Sequence, residues 1–288
     1  MVTFLSHLLG LLPLNCVQQI GATIARMMAI VNPSYYTILR DNLATSGLFR
    51  QPAHFEEAVK TNIIETGKSL FETLKIWRLS DTQAAALVKN VYGWAHVEQA
   101  LAAQKGIIFL TPHLGCFEIT SLFYAAQHPI TVLYRPPRQN WLLPLIVKGR
   151  TKGKVKLAPA NSGGVRLLMQ ALKNGEAIGI LPDQTPKSGE GEWAPFFGKP
   201  AYTMTLASRI AEKTHAKVIL AFGKRLPNGA GYDLHLTALE QGAIATPTLL
   251  NSAIEKQIAA YPEQYLWRYN RYKSHRNADK KRQATQPS

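Results

Sequence analysis

From Gly106 to Thr237, short apolar runs alternate with segments of helical periodicity, a pattern that few folds accommodate. The runs are Ile107–Thr111, Ile130–Tyr134, Val155–Ala158, Ala177–Leu181, Lys217–Gly223 and Tyr232–Thr237. Each has the length of a strand, and continuous apolar runs of this kind suit strands buried on both faces. Between and after them, Cys116–Gln127, Trp141–Gly149, Gly163–Lys173, Met204–Lys213 and Thr248–Ala260 read as helices. The alternation predicts an α/β fold with a mostly parallel, mixed sheet covered by helices. Pro227-Asn228-Gly229 is a turn signal, so the last two strands are expected to be antiparallel. Ahead of the alternation, Tyr35 to Lys75 reads as helical, with a turn near Ser46-Gly47 and Gln51-Pro52. A polar stretch beyond Leu79 then leads through Val88–Tyr92 to a helix from about Trp94 to Gln104.

The composition belongs to a folded chain: 46% hydrophobic and 18% charged over 288 residues. Cys16 and Cys116 form no disulfide framework and have no metal-ligand spacing, so neither metal nor staple is expected. The charge balance is lopsided, 33 Lys and Arg against 18 Asp and Glu, a net +15. That excess attracts polyanions: nucleic acid, anionic lipid or an acidic protein. One basic cluster runs through Arg135, Arg138, Lys148, Arg150, Lys152, Lys154 and Lys156 with no acid between. Another runs through Arg268, Arg271, Lys273, Arg276, Lys280, Lys281 and Arg282. No zinc-finger or RNP-like motif supports nucleic acid as the partner. Residues 275–288 are polar and charged and read as a disordered basic tail.

No Lys, Arg, Asp or Glu occurs from Met1 to Ala25, while Phe4, Leu5, Leu8, Leu9, Leu12, Ile20, Ile24 and Met27 recur at helical spacing. The basic n-region of a signal peptide is missing. Pro13, Asn15, Gln18 and Gln19 interrupt the segment and are costly in hydrocarbon. Residues 1–31 therefore read as a membrane-anchoring helix lying shallowly in one leaflet, or as a helix with a short break. A core helix of a soluble domain is the plainer alternative. An apolar helix beside a basic body pairs two weak anchors into one stable one.

Chemistry concentrates at Thr111-Pro112-His113-Leu114-Gly115-Cys116-Phe117-Glu118. A histidine directly follows a buried-strand signal, where open α/β sheets place their ligands and catalytic groups. Residues five apart on an ideal helix point about 140° from each other. His113 and Glu118 can therefore meet only if His113 stands on the turn before the helix. A neutral imidazole can then take a proton from an alcohol while a carboxylate on its other nitrogen holds the tautomer. No Gly-x-Ser-x-Gly elbow supplies a nucleophile, so the attacking hydroxyl is expected to belong to a substrate. A second strand signal ends at Pro182-Asp183-Gln184, followed by Gly189–Gly191 and Pro195-Phe196-Phe197-Gly198. That glycine-rich stretch leading into aromatics suits a mobile flap over an apolar site.

With these motifs in order, the chain resembles the bacterial lipid A late acyltransferases of the lysophospholipid acyltransferase superfamily. The resemblance rests on His113-x4-Glu118, Tyr134-Arg135-Pro136, Lys148-Gly149-Arg150, and Pro182-Asp183-Gln184 with Pro195-Phe196-Phe197-Gly198. It also rests on Glu263-Gln264-Tyr265-Leu266-Trp267, and Arg40-Asp41-Asn42-Leu43 looks like the Arg-x-Asn-Leu segment after the family's anchor. The family implies a glycerol-3-phosphate-acyltransferase-like fold over residues 32–274 and needs no cofactor. It implies transfer of an acyl chain from an acyl carrier protein thioester to a hydroxyl of a lipid A precursor, at the cytoplasmic face of the bacterial inner membrane. By motif match, His113 is the general base and Glu118 its partner. Arg135 and Arg150 would contact phosphate or sugar-acid groups, Asp183 falls in a later motif, and Arg166 occupies a position where relatives carry arginine. The chain departs from the family after Leu43 and in the Thr-Pro lead-in to His113. The acceptor is thereby left open between a lipid A precursor, another glycolipid and an amino-acid lipid. A non-catalytic protein that binds anionic lipid is a further alternative.

Overall fold

The computed structural model describes residues 2–137 and 139–273; the expected basic tail and Arg138 lie outside them. Helices α1 (Val2–Leu11) and α2 (Leu14–Val31) lead into α3 (Thr37–Ser46), α4 (Pro52–Ile76) and the short α5 (Asp81–Ala85). The chain then alternates through β1 (Val88–Tyr92), α6 (Trp94–Ala102), β2 (Ile107–Leu110), α7 (Phe117–Ala125), β3 (Ile130–Tyr134), α8 (Leu143–Arg150) and β4 (Val155–Pro159). It continues with α9 (Ser162–Lys173), β5 (Ala177–Ile180), β6 (Gly191–Phe196), β7 (Lys199–Met204), α10 (Leu206–Thr214), β8 (Lys217–Arg225), β9 (Tyr232–Ala238) and α11 (Pro247–Ala260).

A seven-stranded sheet has the order β1-β9-β8-β2-β5-β3-β4, as the alternation predicts. Its pairs are parallel except β8 with β9, which are joined through Pro227–Gly229 and run antiparallel. The C-terminal ends of β8, β2, β5, β3 and β4 therefore share one edge. The twofold side-chain period sends Ile108 and Leu110 to one face and Ile107 and Phe109 to the other, all buried. Helices on both faces exclude water, which is what an apolar parallel sheet requires.

Local chemistry sets the helix ends. Asn161 caps α9 by accepting from Gly164 N–H at 2.9 Å, and Thr246 caps α11 through Leu249 N–H at 3.2 Å. Ser80 and Gln83 close a capping box on α5. At the N-terminus the chain breaks at Leu12-Pro13, so the expectation of a short break holds. Lys75 from α4 satisfies that break, donating to Gly10 O at 3.0 Å and Leu12 O at 2.6 Å. Helices α2 and α4 cross where Gly21 meets Gly67. A Cβ on either would fall on the other's carbonyl oxygen, so only glycine allows this approach. Among the described residues, no helix is long and apolar enough to cross a membrane.

A buried polar cluster ties the helices to the sheet. Glu72 of α4 accepts from Arg225 of β8 at 2.9 and 2.5 Å, from Tyr232 of β9 at 3.0 Å and from Gln18 of α2 at 2.8 Å. Arg225 also pairs with Glu65. Burial works against the Arg225 charge, but the two carboxylates hold its pKa above the ordinary value.

One expectation needs correction. The stretch around Gly189–Gly191 is not a loose flap. It opens a two-stranded hairpin, β6 with β7, whose Phe196 is buried and whose Pro195 carbonyl is held by Asn251 at 2.8 Å. Burial of Phe196 and Tyr202 turned what read as a glycine loop into a packed ribbon. Val88–Tyr92, to which local periodicity assigns no element, is a strand, because β9 offers it a parallel edge that local sequence does not reveal.

Arg225→Met leaves Glu72 buried without its cation. It should lower unfolding stability by about 3–5 kcal/mol, read from urea denaturation, since breaking a buried pair leaves an uncompensated charge.

Candidate active site

Strand β2 ends at Leu110, level with Ile180 of β5, and Thr111 N–H donates to Ile180 O at 2.9 Å. Three residues beyond each of these paired positions stand His113 and Asp183. They are brought together because the strands are parallel neighbours. The turn before α7 is stitched on both sides. Gly115 N–H donates to Gln264 O at 3.0 Å, Cys116 N–H to Gly223 O at 2.8 Å, and Leu266 N–H to His113 O at 2.9 Å. Gly115 has φ +58° and a Cβ there would overlap the Gly223 carbonyl oxygen, so this position requires glycine.

The His113 imidazole is held at both nitrogens. Nδ1 lies 2.8 Å from Asp183 Oδ1, while the backbone N–H of His113 donates to Asp183 Oδ2 at 2.9 Å. Asp183 is only 2% exposed. Burial pushes its carboxyl up, but the His113 ring and the hydrogen bonds from His113 outweigh this and hold it below the usual carboxylate range. In the neutral imidazole, an ionised Asp183 favours the tautomer with the proton on Nδ1 and the lone pair on Nε2. Gln184 Nε2 lies 3.1 Å from that nitrogen, and the Phe117 ring centroid is 4.8 Å from the imidazole's. Burial, with Asp183 nearby, pushes the Tyr265 phenol well above its usual pKa, so it stays neutral beside the pair.

The expected contact between His113 and Glu118 is not the one the fold makes. Glu118 is the second residue of α7, and its buried carboxylate turns to Arg150 at the end of α8. Arg150 Nε donates to its two oxygens at 3.0 and 3.1 Å, and Nη2 also bonds Oε1. The physical reason is the helical offset: once α7 begins at Phe117, Glu118 points away from the turn that carries His113. Arg150 also lies over Trp77 at 5.8 Å. Nε and Nη2 of its fork are thus committed to Glu118, while the side chain is still 21% exposed.

The other expected site residues are distributed along the same edge and beyond. Arg135 follows the last residue of β3 and is exposed. Strand register places it level with Pro182, on the edge that carries His113. Arg166 is exposed on α9, in a groove shared with Lys173 and Lys213, and among the described residues no bond links it to His113. Cys116 is buried, and burial raises its thiol pKa well above the ordinary value, which removes it as a thiolate nucleophile. Its N–H and that of Gly115 are already bonded, so neither is free to meet an oxyanion. A cavity of about 20 Å³ lies between Phe117, Glu118 and Gly179, room for one water and not for a fatty chain.

Sequence reasoning missed the strap that closes this site. Asn42 Nδ2 donates to Trp267 O at 2.7 Å and Tyr269 O at 2.8 Å. Asn62 Nδ2 donates to Glu263 O at 2.7 Å and Tyr265 O at 2.8 Å. Two asparagines on helices α3 and α4 thereby pin the C-terminal segment across the His113 turn, where Leu114 bridges Tyr265. The signal was present in Asn42 and in the Glu263–Trp267 motif, but nothing local joins residues more than 200 positions apart.

A family model described as bacterial lipid A biosynthesis acyltransferase matches residues 1–274. The chain is 27% identical over 225 residues to the lipid A biosynthesis lauroyltransferase of Escherichia coli (strain K12), covering 75% of this chain and 72% of that protein. It is 25% identical over 243 residues to the lipid A biosynthesis palmitoleoyltransferase of the same strain, covering 83% and 78%. A lipid A biosynthesis acyltransferase of Haemophilus influenzae is 27% identical over 182 residues, covering 61% and 56%. Matched by that family model over residues 1–274, the chain belongs to the bacterial lipid A biosynthesis acyltransferase family.

Proposed function

We propose that this enzyme moves a fatty acyl chain from an acyl carrier protein thioester to a hydroxyl of a lipid A precursor, with His113 as general base. The observation that carries this reading is the His113–Asp183 pair at the C-terminal edge of the sheet, where the carboxylate on Nδ1 favours the tautomer whose lone pair is on Nε2. The acceptor hydroxyl gives its proton to Nε2 as its oxygen bonds to the thioester carbon. The C–S bond then breaks, and the leaving thiolate takes the proton back. Asp183 keeps the reactive tautomer and stabilises the imidazolium that forms between these steps. Helix α7 starts at Phe117, whose ring centroid is 4.8 Å from that of His113, and a helix N-terminus favours a developing oxyanion that forms near it.

In this reading Glu118 supports the site through Arg150, locking α7 to α8, and does not touch the reacting atoms. Recognition of acceptor phosphate falls to Arg135, with Arg166 meeting substrate groups further out. The +15 net charge suits both an anionic lipid and an acidic carrier protein.

Residues 1–31 are the proposed membrane contact, at the cytoplasmic face of the bacterial inner membrane. Val17, Gly21 and Ala25 pack inward, whereas Ile20, Ile24, Met27 and Val31 lie exposed along one side of α2. Leu8 and Leu11 of α1 and Leu70 of α4 are exposed as well. An apolar face of this extent suits helices lying in the interface rather than crossing it.

His113→Ala should lower kcat by roughly 10²–10⁴-fold in a carrier-thioester assay while the melting curve stays cooperative. Near wild-type turnover would remove His113 as the base. Asp183→Asn should lower kcat and also change acid stability. Because its folded pKa lies below 3.8, the carboxylate's stabilisation is full above that pH and is lost as pH falls through the lowered value. The stability gap between Asp183→Asn and the unmodified protein should therefore be widest at neutral pH and close below pH 3.8. A double-mutant cycle on unfolding should give Glu118 and Arg150 a coupling of at least about 1 kcal/mol, and Glu118 and His113 almost none. Replacing Ile24 and Met27 with Asp should weaken co-sedimentation with anionic vesicles by about tenfold or more.

A further inference from the structure

The Asp183 carboxylate accepts a hydrogen bond from Nδ1–H of the neutral imidazole, so the lone pair on His113 Nε2 is what transfer needs. That lone pair is not open. Gln184 Nε2 lies 3.1 Å from it, and a lone pair on the imidazole requires the amide to face it with N–H rather than carbonyl oxygen. Gln184 follows Asp183 directly, so the turn after β5 supplies the group on each ring nitrogen. The amide N–H stands where a substrate O–H must stand. It donates a hydrogen bond as an alcohol would but does not give up its proton near neutral pH. Unlike Asp183, Gln184 is only part-buried and has a flexible side chain, so it can swing aside.

We propose that Gln184 is a stopper on the base: it covers His113 Nε2 until the acceptor hydroxyl displaces it, and so restrains hydrolysis of the acyl donor. This rests on the reading of His113 as the general base. Hydrolysis and transfer begin alike. In hydrolysis, a water oxygen bonds to the thioester carbon, its proton passes to Nε2, the C–S bond breaks, and the thiolate leaves with that proton as free thiol beside a fatty acid. In transfer, the acceptor oxygen takes the place of water's and the product is an ester. Displacing Gln184 forfeits one hydrogen bond, a factor of about ten against either nucleophile. The acceptor lipid offsets that loss through contacts made by the rest of the molecule, and water has none to offer.

The test uses the full chain in phospholipid vesicles, with the lauroyl thioester of acyl carrier protein as donor. Thiol release is measured without acceptor, and ester formation with a saturating lipid A precursor. Gln184→Ala should raise acceptor-free release about tenfold and so raise the ratio of hydrolysis to ester formation. Gln184→Asn, whose amide falls one methylene short of Nε2, should behave the same way, and it carries the test if alanine disturbs the melting curve. Gln184→Glu should shift the pH profile of transfer to higher pH, because a carboxylate beside Nε2 favours the imidazolium. Acceptor-free release unchanged in both the alanine and asparagine variants overturns the stopper, even where His113→Ala abolishes transfer and so upholds the base. Excess release that persists when His113→Ala is combined with Gln184→Ala overturns the base itself, because the hydrolysis then does not pass through the imidazole.

Discussion

The structure depends on how one backbone turn, 112–116, is held. His113 O, Gly115 N–H and Cys116 N–H are each bonded to a different distant carbonyl or amide, on residues 266, 264 and 223. A turn carrying the proposed base cannot be left to fluctuate, since proton transfer needs the imidazole within hydrogen-bond reach of its substrate. The backbone bonds fix where the ring starts, and Asp183 fixes how it points. Asp183 bonds the backbone N–H and the ring of the same residue, so a single carboxylate orients both.

That turn is supported from far away in the chain. The strap that closes it is pinned by Asn42 and Asn62, each donating to two carbonyls of the C-terminal segment. Helix α4, which carries Asn62, is fixed to the sheet and to α2 by Glu72, Arg225, Tyr232 and Gln18. Burying such a group is costly, and it is sustained only because nearly every lone pair and proton finds a partner. In return, the relative position of helices and sheet is set by directed bonds rather than by interchangeable apolar contacts. Helix α2, with its exposed apolar side, is joined through Gln18 to the cluster that positions β8. The face proposed to meet lipid and the catalytic edge therefore belong to one connected framework.

Glu118 shows why spacing alone misleads. A carboxylate five residues after a histidine looks like its partner on paper. The partner actually used lies 70 positions away, and parallel pairing of β2 with β5 is what delivers it. Glu118 and Arg150, singled out for different tasks, instead satisfy each other. The hairpin at Gly191–Met204 and the edge strand at Val88–Tyr92 were obscured for a related reason. Each is defined by the strand beside it, whereas a helix carries its own hydrogen bonds and reveals itself in a local window.

The residues by themselves determined the α/β class, the antiparallel last pair of the large sheet, the break near Pro13 and the placement of His113 past a buried strand. These follow from local periodicity, turn chemistry and the position of strand ends, all of which act within a few residues. Only the tertiary structure decided which carboxylate orients the histidine, which nitrogen keeps the lone pair and which amide covers it. It also decided that Arg150 faces inward and that two asparagines hold the far end of the chain over the site. Those outcomes depend on strand order and helix packing, through which residues remote in sequence come within hydrogen-bond distance. A local pattern carries no information about such separations.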